Sequence, residues 1–84
     1  MKYAVLVERA ADRSIRRLPG HVRALILATI QELAVEPRPP GCKKLRGFDQ
    51  HYRVRVGDYR VIYEIIDREL VVIIVNAGPR ASVS

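Results

Sequence analysis

From His51 to Glu64 the chain reads HYRVRVGDYRVIYE, two runs in which residue type alternates on either side of Gly57-Asp58. Val54 and Val56 alternate with Arg53 and Arg55, and Tyr59, Val61 and Tyr63 with Arg60, the period of two of a strand with unlike faces. A two-residue connection with glycine first suits a hairpin turn of the primed type, and such a turn sets the pairing of the arms residue by residue. Val56 then faces Tyr59 and Arg55 faces Arg60. Arg53 stands one alternate position away on the same face, so three guanidiniums share one patch.

Like charges directly opposite one another destabilise a sheet, and arginine stays protonated at any physiological pH. Such a patch can be a solvated face, or a charged edge that blocks aggregation. It can also be an anion site, because the planar guanidinium fork matches phosphate oxygens and several forks on one patch suit a polyanionic backbone. No acidic residue in the two strands lies beside the three arginines. Glu64 is on their face but four residues from Arg60, roughly 13 Å along a strand.

The 84 residues suffice for one domain with a single modest core. A hydrophobic content of 49% with 29% charged residues excludes a disordered chain. The net charge of +6 favours an acidic partner. The charge is concentrated: Lys43, Lys44, Arg46, Arg53, Arg55 and Arg60 stand against only Asp49 and Asp58 between positions 43 and 60. Cys42 is the single cysteine, which excludes an internal disulfide and fits a reducing cytoplasm. His21 and His51 are too far apart in sequence to suggest a metal site. The apolar run after Lys2 stops at Glu8, so neither a signal peptide nor a membrane span is expected.

Tyr3 to Val7 reads as a first strand, buried on both faces or nearly so. Ala11, Ile15 and Leu18 recur at helical spacing within Ala10 to Leu18, and Pro19-Gly20 ends that helix. A second helix is expected from about His21 to Val35, with Val22, Leu25, Ile26, Thr29, Ile30 and Leu33 as its apolar stripe. The prolines of Glu36 to Gly41 dictate a loop, and the basic Lys43 to Gly47 segment extends it to the hairpin. The last strand, Leu70 to Asn76, is apolar on both faces and is expected to be central and covered on both sides. With a two-residue turn at Arg68-Glu69, Ile62 faces Val75 and Arg60 faces Ala77. Tyr52, Val54, Val56, Val61, Tyr63, Val72 and Ile74 share the opposite face, against which the helices pack. The fold class is α+β: an N-terminal strand, a two-helix antiparallel hairpin, then a three-stranded antiparallel meander.

These residues resemble the RelE/ParE toxins of type II toxin–antitoxin pairs, and within them the RelE branch. The resemblance rests on Ala11, Arg13, Ile15, Arg16, Arg17, Leu18 and Pro19, on EPRPPGCKKLRG from Glu36 to Gly47, and on YRVRVGDYRVIYEI from Tyr52 to Ile65. It covers nearly the whole chain, so that 1–84 reads as a single RelE-like toxin domain. It implies a ribosome-dependent endoribonuclease, an mRNA interferase that cuts messenger RNA in the A site through attack of the RNA's own 2′-hydroxyl. It implies no cofactor, a cognate antitoxin protein as silencing partner, and a toxin–antitoxin heterotetramer as one assembly open to the pair. Carried onto matching positions, Arg53, Arg55, Arg60 and Arg80 fall in the catalytic slots. Lys43, Lys44 and Arg46 fall near the RNA or ribosomal backbone. Two positions depart from the pattern: Pro79 stands where relatives often carry His or Lys, and Ser84 where they commonly carry an aromatic residue.

Phosphoryl chemistry of this kind needs stabilisation of charge accumulating on the phosphorane, which fixed guanidiniums supply; Arg60 and Arg80 are the candidates. It also needs proton transfer, for which arginine is a poor base. His51, at the boundary of loop and strand, is of the residue type most often used for proton transfer, and Glu64 is a carboxylate on the arginine face. Two other functions stay open at this level. One is gyrase inhibition of the ParE kind; the other is a catalytically impaired variant that retains RNA and antitoxin binding.

Overall fold

Gly57 adopts φ +61° while Asp58 keeps a negative φ, the pattern of a type II′ turn, and the two arms of the hairpin close in the expected register. The computed structural model describes residues 2–47 and 50–80. Along the chain run β1 (Ala4–Val7), α1 (Arg9–Arg16), α2 (Gly20–Val35), β2 (Lys43–Lys44), β3 (His51–Val56), β4 (Tyr59–Ile66), a 3-10 turn at Asp67–Glu69 and β5 (Val71–Pro79). All five strands form one sheet in the order β1-β5-β4-β3-β2, with β1 parallel to β5 and the other pairs antiparallel. The α+β class and the strand, two-helix, meander order are as expected. The two-residue β2, inside the segment read as a basic loop, adds an edge to the meander.

Both helices pack on one face of the sheet. Ala11, Ile15 and Leu18 from the first helical stretch, and Val22, Ile26, Ile30 and Leu33 from α2, meet Val54, Val61, Tyr63, Ile65, Val72, Ile74 and Ala77 of the strands. Tyr52 and Val56 pack against this core partly buried. Full burial of such side chains is worth roughly 1.5–3 kcal/mol each, so this face carries most of the fold's stability. Pro19 separates the helices, and its carbonyl accepts the Arg23 N–H at 2.9 Å, which starts α2 one residue before His21. Leu25, expected in the apolar stripe, is 57% exposed, because the buried line of α2 runs through Val22, Ile26, Ile30 and Leu33 at spacings of four and three and leaves Leu25 on the flank.

Three expectations are corrected. The first strand is not buried on both faces: β1 is an edge strand, with Leu6 55% and Val7 41% exposed. An apolar run of four residues looks the same in a buried strand and at a sheet edge. β5 is flanked by β1 and β4, as a central strand should be, but the described helices cover only one of its faces, and Val71, Ile73 and Val75 are half-buried. The β4–β5 register also changes along its length. It runs as expected from Ile66↔Val71 to Tyr63↔Ile74 and then shifts, so that Ile62 faces Asn76 rather than Val75 and Arg60 faces Gly78 rather than Ala77. The cause is a β-bulge at Ile62/Tyr63, where β5 carries the extra residue. The bulge turns Ala77 inward against Val61 and puts Asn76 on the outer face.

Candidate active site

The face of the sheet away from the helices carries the arginines. Strand alternation puts Val54, Val61 and Tyr63 in the core, hence Arg53 and Arg55 of β3 and Arg60, Ile62 and Glu64 of β4 on the other side. Arg55 lies directly opposite Arg60, and Gly78 of β5 opposes Arg60 from the other side without a side chain. One row away, Lys43 of β2, Arg53, Ile62 and Asn76 stand side by side across four strands. A third row pairs His51 with Glu64. The Ile65 N–H donates to the Gln50 carbonyl at 2.9 Å, and a two-residue turn closes on a hydrogen-bonded pair. Alternation then makes Arg55–Arg60, Arg53–Ile62 and His51–Glu64 the non-hydrogen-bonded kind, in which facing side chains come closest.

Arg80 joins this patch from the end of β5. Its backbone N–H donates to the Asp58 carbonyl at 2.9 Å, which ties the strand end to the hairpin turn. Partial burial, and then the neighbouring charges of Arg53, Arg55 and Arg80, push the Arg60 guanidinium below its ordinary range. Arg60 is thus the centre of the cluster, the residue that feels the other three. Ile62 is only 7% exposed although no described helix covers it, so the long side chains around it lie across an apolar floor. The arrangement can hold the two non-bridging oxygens of a phosphate over that floor, with donors from two strands and a strand end.

The structure brings together Arg53, Arg55, Arg60 and Arg80, and adds Lys43 to them. It separates Lys44, which pairs with Tyr52 and so belongs to the opposite side of the sheet at its β2 edge, and Arg46, which lies exposed in the loop after β2. His51 is the first residue of β3 rather than part of a loop. Ser84 lies outside the described residues; Pro79 is the last residue of β5, exposed and opposite Tyr59. Asn76, Gly78 and the Asp58 carbonyl were not picked out as part of this surface. The break in the apolar run at Asn76 was the available signal, since a polar residue inside LVVIIVN marks where the strand changes face. Among the described residues, no group of His, Cys, Asp and Glu is suited to a metal ion, and no helix is long and apolar enough to cross a membrane.

A second arginine site, around Arg38 alone, lies at the other end of the hairpin and is built differently. Arg38, from the proline-rich loop, donates from both terminal nitrogens to Asp67, at 2.9 and 3.2 Å, and from Nε to the Tyr52 hydroxyl at 3.2 Å. Its guanidinium carbon lies 5.0 Å from the Tyr52 ring centre. The Tyr3 hydroxyl donates to the same Asp67 carboxylate at 2.7 Å. The Arg38 bonds, and then the Tyr3 hydroxyl, hold the Asp67 carboxyl below its usual value, and Asp67 in turn raises Arg38. Beneath this clamp the buried Tyr63 hydroxyl donates to the Pro37 carbonyl at 2.7 Å, and burial pushes its phenol up. The clamp anchors the loop, the first strand and the β4–β5 turn to one another.

Comparison with known proteins agrees with this geometry. Residues 5–83 match the family of ParE toxins of the type II toxin–antitoxin system parDE. The chain is 31% identical over 65 residues to toxin RelE3 of Methanocaldococcus jannaschii, covering 73% of this chain and 74% of that protein. It is 29% identical over 82 residues to the mRNA interferase toxin RelE of Escherichia coli K12, covering 95% of this chain and 85% of that protein. The toxin in the crystal structure of the archaeal RelE–RelB complex from Pyrococcus horikoshii superposes with a TM-score of 0.85 at 31% identity, over 99% of this chain and 100% of that one. With its fold, its arginine-bearing sheet face and these relatives, the chain belongs to the RelE/ParE superfamily of type II toxin–antitoxin toxins, on the RelE side of it.

Proposed function

We propose that this protein is the toxin of a type II toxin–antitoxin module and a ribosome-dependent endoribonuclease, an mRNA interferase that cleaves messenger RNA in the ribosomal A site. The observation that carries this reading is the convergence of Arg53, Arg55, Arg60 and Arg80 on one open sheet face. The E. coli relative is named an mRNA interferase, which supports the same reaction class here. Attack by the 2′-oxygen on the adjacent phosphorus accumulates negative charge on the non-bridging oxygens. Guanidiniums held in place before the reaction stabilise that charge with little reorganisation. Arg60, at the centre, is assigned to the phosphorane oxygens with Arg80; Arg53 and Arg55 hold the flanking phosphate. Lys43 supplies backbone contact from the same face, and Lys44 and Arg46 do so from the β2 edge and the loop beyond it.

The whole of 1–84 acts as one toxin domain in the cytoplasm, and the partner that silences it is a cognate antitoxin, as RelB accompanies RelE in the P. horikoshii complex. Val71, Ile73 and Val75 place half-buried apolar surface beside the arginines, which suits an amphipathic, acidic chain segment that orders as it binds. A heterotetramer of two toxins and two antitoxins is the assembly expected.

The test is primer-extension mapping of a defined message on programmed ribosomes with and without the protein, run beside a gyrase supercoiling assay. Cuts confined to the A-site codon with supercoiling unaffected are expected. Inhibited supercoiling with intact message would transfer the function to gyrase poisoning; ribosome binding without cuts would mark a binding-only variant.

A further inference from the structure

β1 pairs with β5 only as far as Val7↔Ile74, and the chain then turns away into α1. From Val75 onward β5 therefore has no strand beside it on that side. Arg60 and Ile62 form non-hydrogen-bonded pairs with β3, so their hydrogen-bonded pairs are with Gly78 and Asn76 of β5. The Ala77 N–H and carbonyl are thus turned toward the vacated edge. There the Asn76 side chain meets them: its Oδ1 accepts the Ala77 N–H at 2.9 Å. That bond fixes which way the amide lies, with Oδ1 on the backbone and the two Nδ2 hydrogens left to donate. Between this edge and the end of the first helix is a cavity of about 420 Å³, lined by Ser14, Arg17 and Leu18 on one side and by Asn76 to Pro79 on the other.

We propose that this cavity is a nucleobase subsite, which holds the base of a nucleotide next to the scissile phosphate; the assignment rests on the ribonuclease reading above. Continuity with the arginine patch places it there. Gly78 and Asn76 line the cavity and are also the β5 neighbours of Arg60 and Ile62, so it begins one strand spacing, about 4.8 Å, from the Arg60 backbone. Arg80 follows Pro79 directly. An RNA strand whose phosphate lies on Arg60 and Arg80 can therefore turn one nucleotide over the β5 edge. The lining selects a base rather than a second phosphate. The patch gathers guanidiniums on an open face, whereas the cavity has one cation, Arg17, with apolar walls from Leu18, Ala77 and Pro79. Its other polar groups are neutral: the Asn76 amide, the Ser14 hydroxyl and the Ala77 carbonyl. Apolar walls with a few placed donors and acceptors suit a flat heteroaromatic ring recognised by its edge. The Asn76 Nδ2 donates to a ring nitrogen or carbonyl of the base, and the Ala77 carbonyl accepts from a base N–H. No carboxylate lines the cavity to repel the attached phosphate. Arg16 is paired with Asp12 at 3.0 Å, while Arg17 makes no ion pair among the described residues and is assigned to that phosphate.

The experiment is single-turnover cleavage on programmed ribosomes of messages in which each nucleotide of the A-site codon, and the one on either side of it, is replaced in turn by an abasic residue. It is run with the unmodified chain, Asn76→Asp and Ser14→Leu, with thermal melts in parallel. Asn76→Asp keeps the oxygen that accepts the Ala77 N–H and loses the Nδ2 donor. Ser14→Leu narrows the cavity from the helix side and leaves β5 untouched. For the unmodified chain, one abasic position should slow cleavage about ten- to a hundredfold more than the others. Each variant should cleave the intact message more slowly by a similar factor, and the abasic residue at that one position should then cost little more, since both changes remove the same contact. Losses that multiply at every position would mean that the added carboxylate acts on the arginine patch through its charge. That result, or full-rate cleavage by both variants, overturns the subsite and leaves the ribonuclease reading standing. Absence of cleavage of every message by the unmodified chain removes the ribonuclease reading, and the subsite with it.

Discussion

Arg38 and Arg60 are the same side chain in opposite surroundings. Arg38 meets a carboxylate with both terminal nitrogens, a tyrosine hydroxyl with its third, and an aromatic ring with its face, and its affinity for its proton rises. Arg60 is half-buried among Arg53, Arg55 and Arg80, and its proton affinity falls. A cation matched by an anion lowers the energy of the fold itself. Cations gathered on one face repel one another, and an anion that binds among them relieves part of that repulsion. The clamp is therefore the part of the surface that holds the chain together, and the patch is the part that the proposed ribonuclease reading assigns to a phosphate.

The largest effect that can test this contrast is on catalysis. Arg60→Ala should reduce cleavage about 10²–10³-fold, the usual loss for one preorganised donor, while the melting temperature holds or rises slightly as repulsion with Arg55 is relieved. Single-turnover rates and thermal melts on the same preparation check both halves. A marked loss of stability with unchanged cleavage would make Arg60 a structural residue and erase the distinction.

The next effect should fall on stability alone. Tyr63 is fully buried on the helix-covered face, and its hydroxyl is the donor to the Pro37 carbonyl. Tyr63→Phe leaves that carbonyl without its partner, at a cost of about 1–3 kcal/mol. Cleavage by the folded protein should be unchanged, because the hydroxyl faces away from the arginines. Chemical denaturation gives the first quantity and the ribosome assay the second.

Legibility in the sequence followed the range of the interactions. The hairpin was readable to the residue because its register depends on one local turn, Gly57-Asp58, and on alternation that a seven-residue window displays. The grouping of Arg53, Arg55 and Arg60 followed from it. The bulge opposite Ile62 was not readable, since Val71 to Val75 is apolar at every position and offers no alternation to break. The exposed edge position of β1 was hidden for the same reason. Arg38 and Asp67 are joined across a loop and a turn whose geometry no local pattern specifies, so the clamp came from the structure alone. The pairing of His51 with Glu64 follows from the same register, and what the structure adds is that His51 belongs to β3 rather than to the loop before it.

The clamp makes a pH prediction. The folded-state pKa of Asp67 is lowered by Arg38 and then by Tyr3, so its contribution to stability is present above the ordinary carboxylate pKa of about 3.9. That contribution is lost as pH falls through the lower, folded value. Asp67→Asn should therefore melt below the unmodified protein at neutral pH, and the two curves should converge in acid. The pair is 42% and 55% exposed at its side chains, so solvent screening keeps the difference modest. Parallel melting curves against pH would show constant separation if Asp67 acted through packing rather than charge.

The smallest effect separates the two sides of one short strand. Lys43 faces the same way as Arg53, whereas its neighbour Lys44 pairs with Tyr52 and belongs to the other side. Both are exposed, and they carry the same charge. If RNA lies on the arginine face, neutralising Lys43 should remove about one phosphate contact and lower the slope of log affinity against log salt by about one. Lys44→Ala should change the slope less, because its ammonium must reach around the β2 edge. Ribosome binding measured over a salt series for the unmodified chain, Lys43→Ala and Lys44→Ala gives the three slopes directly. Equal losses for the two lysines would mean that the RNA follows the β2 edge rather than the face, and the phosphate path would then have to be redrawn from Arg46 and the loop after β2 toward Arg53.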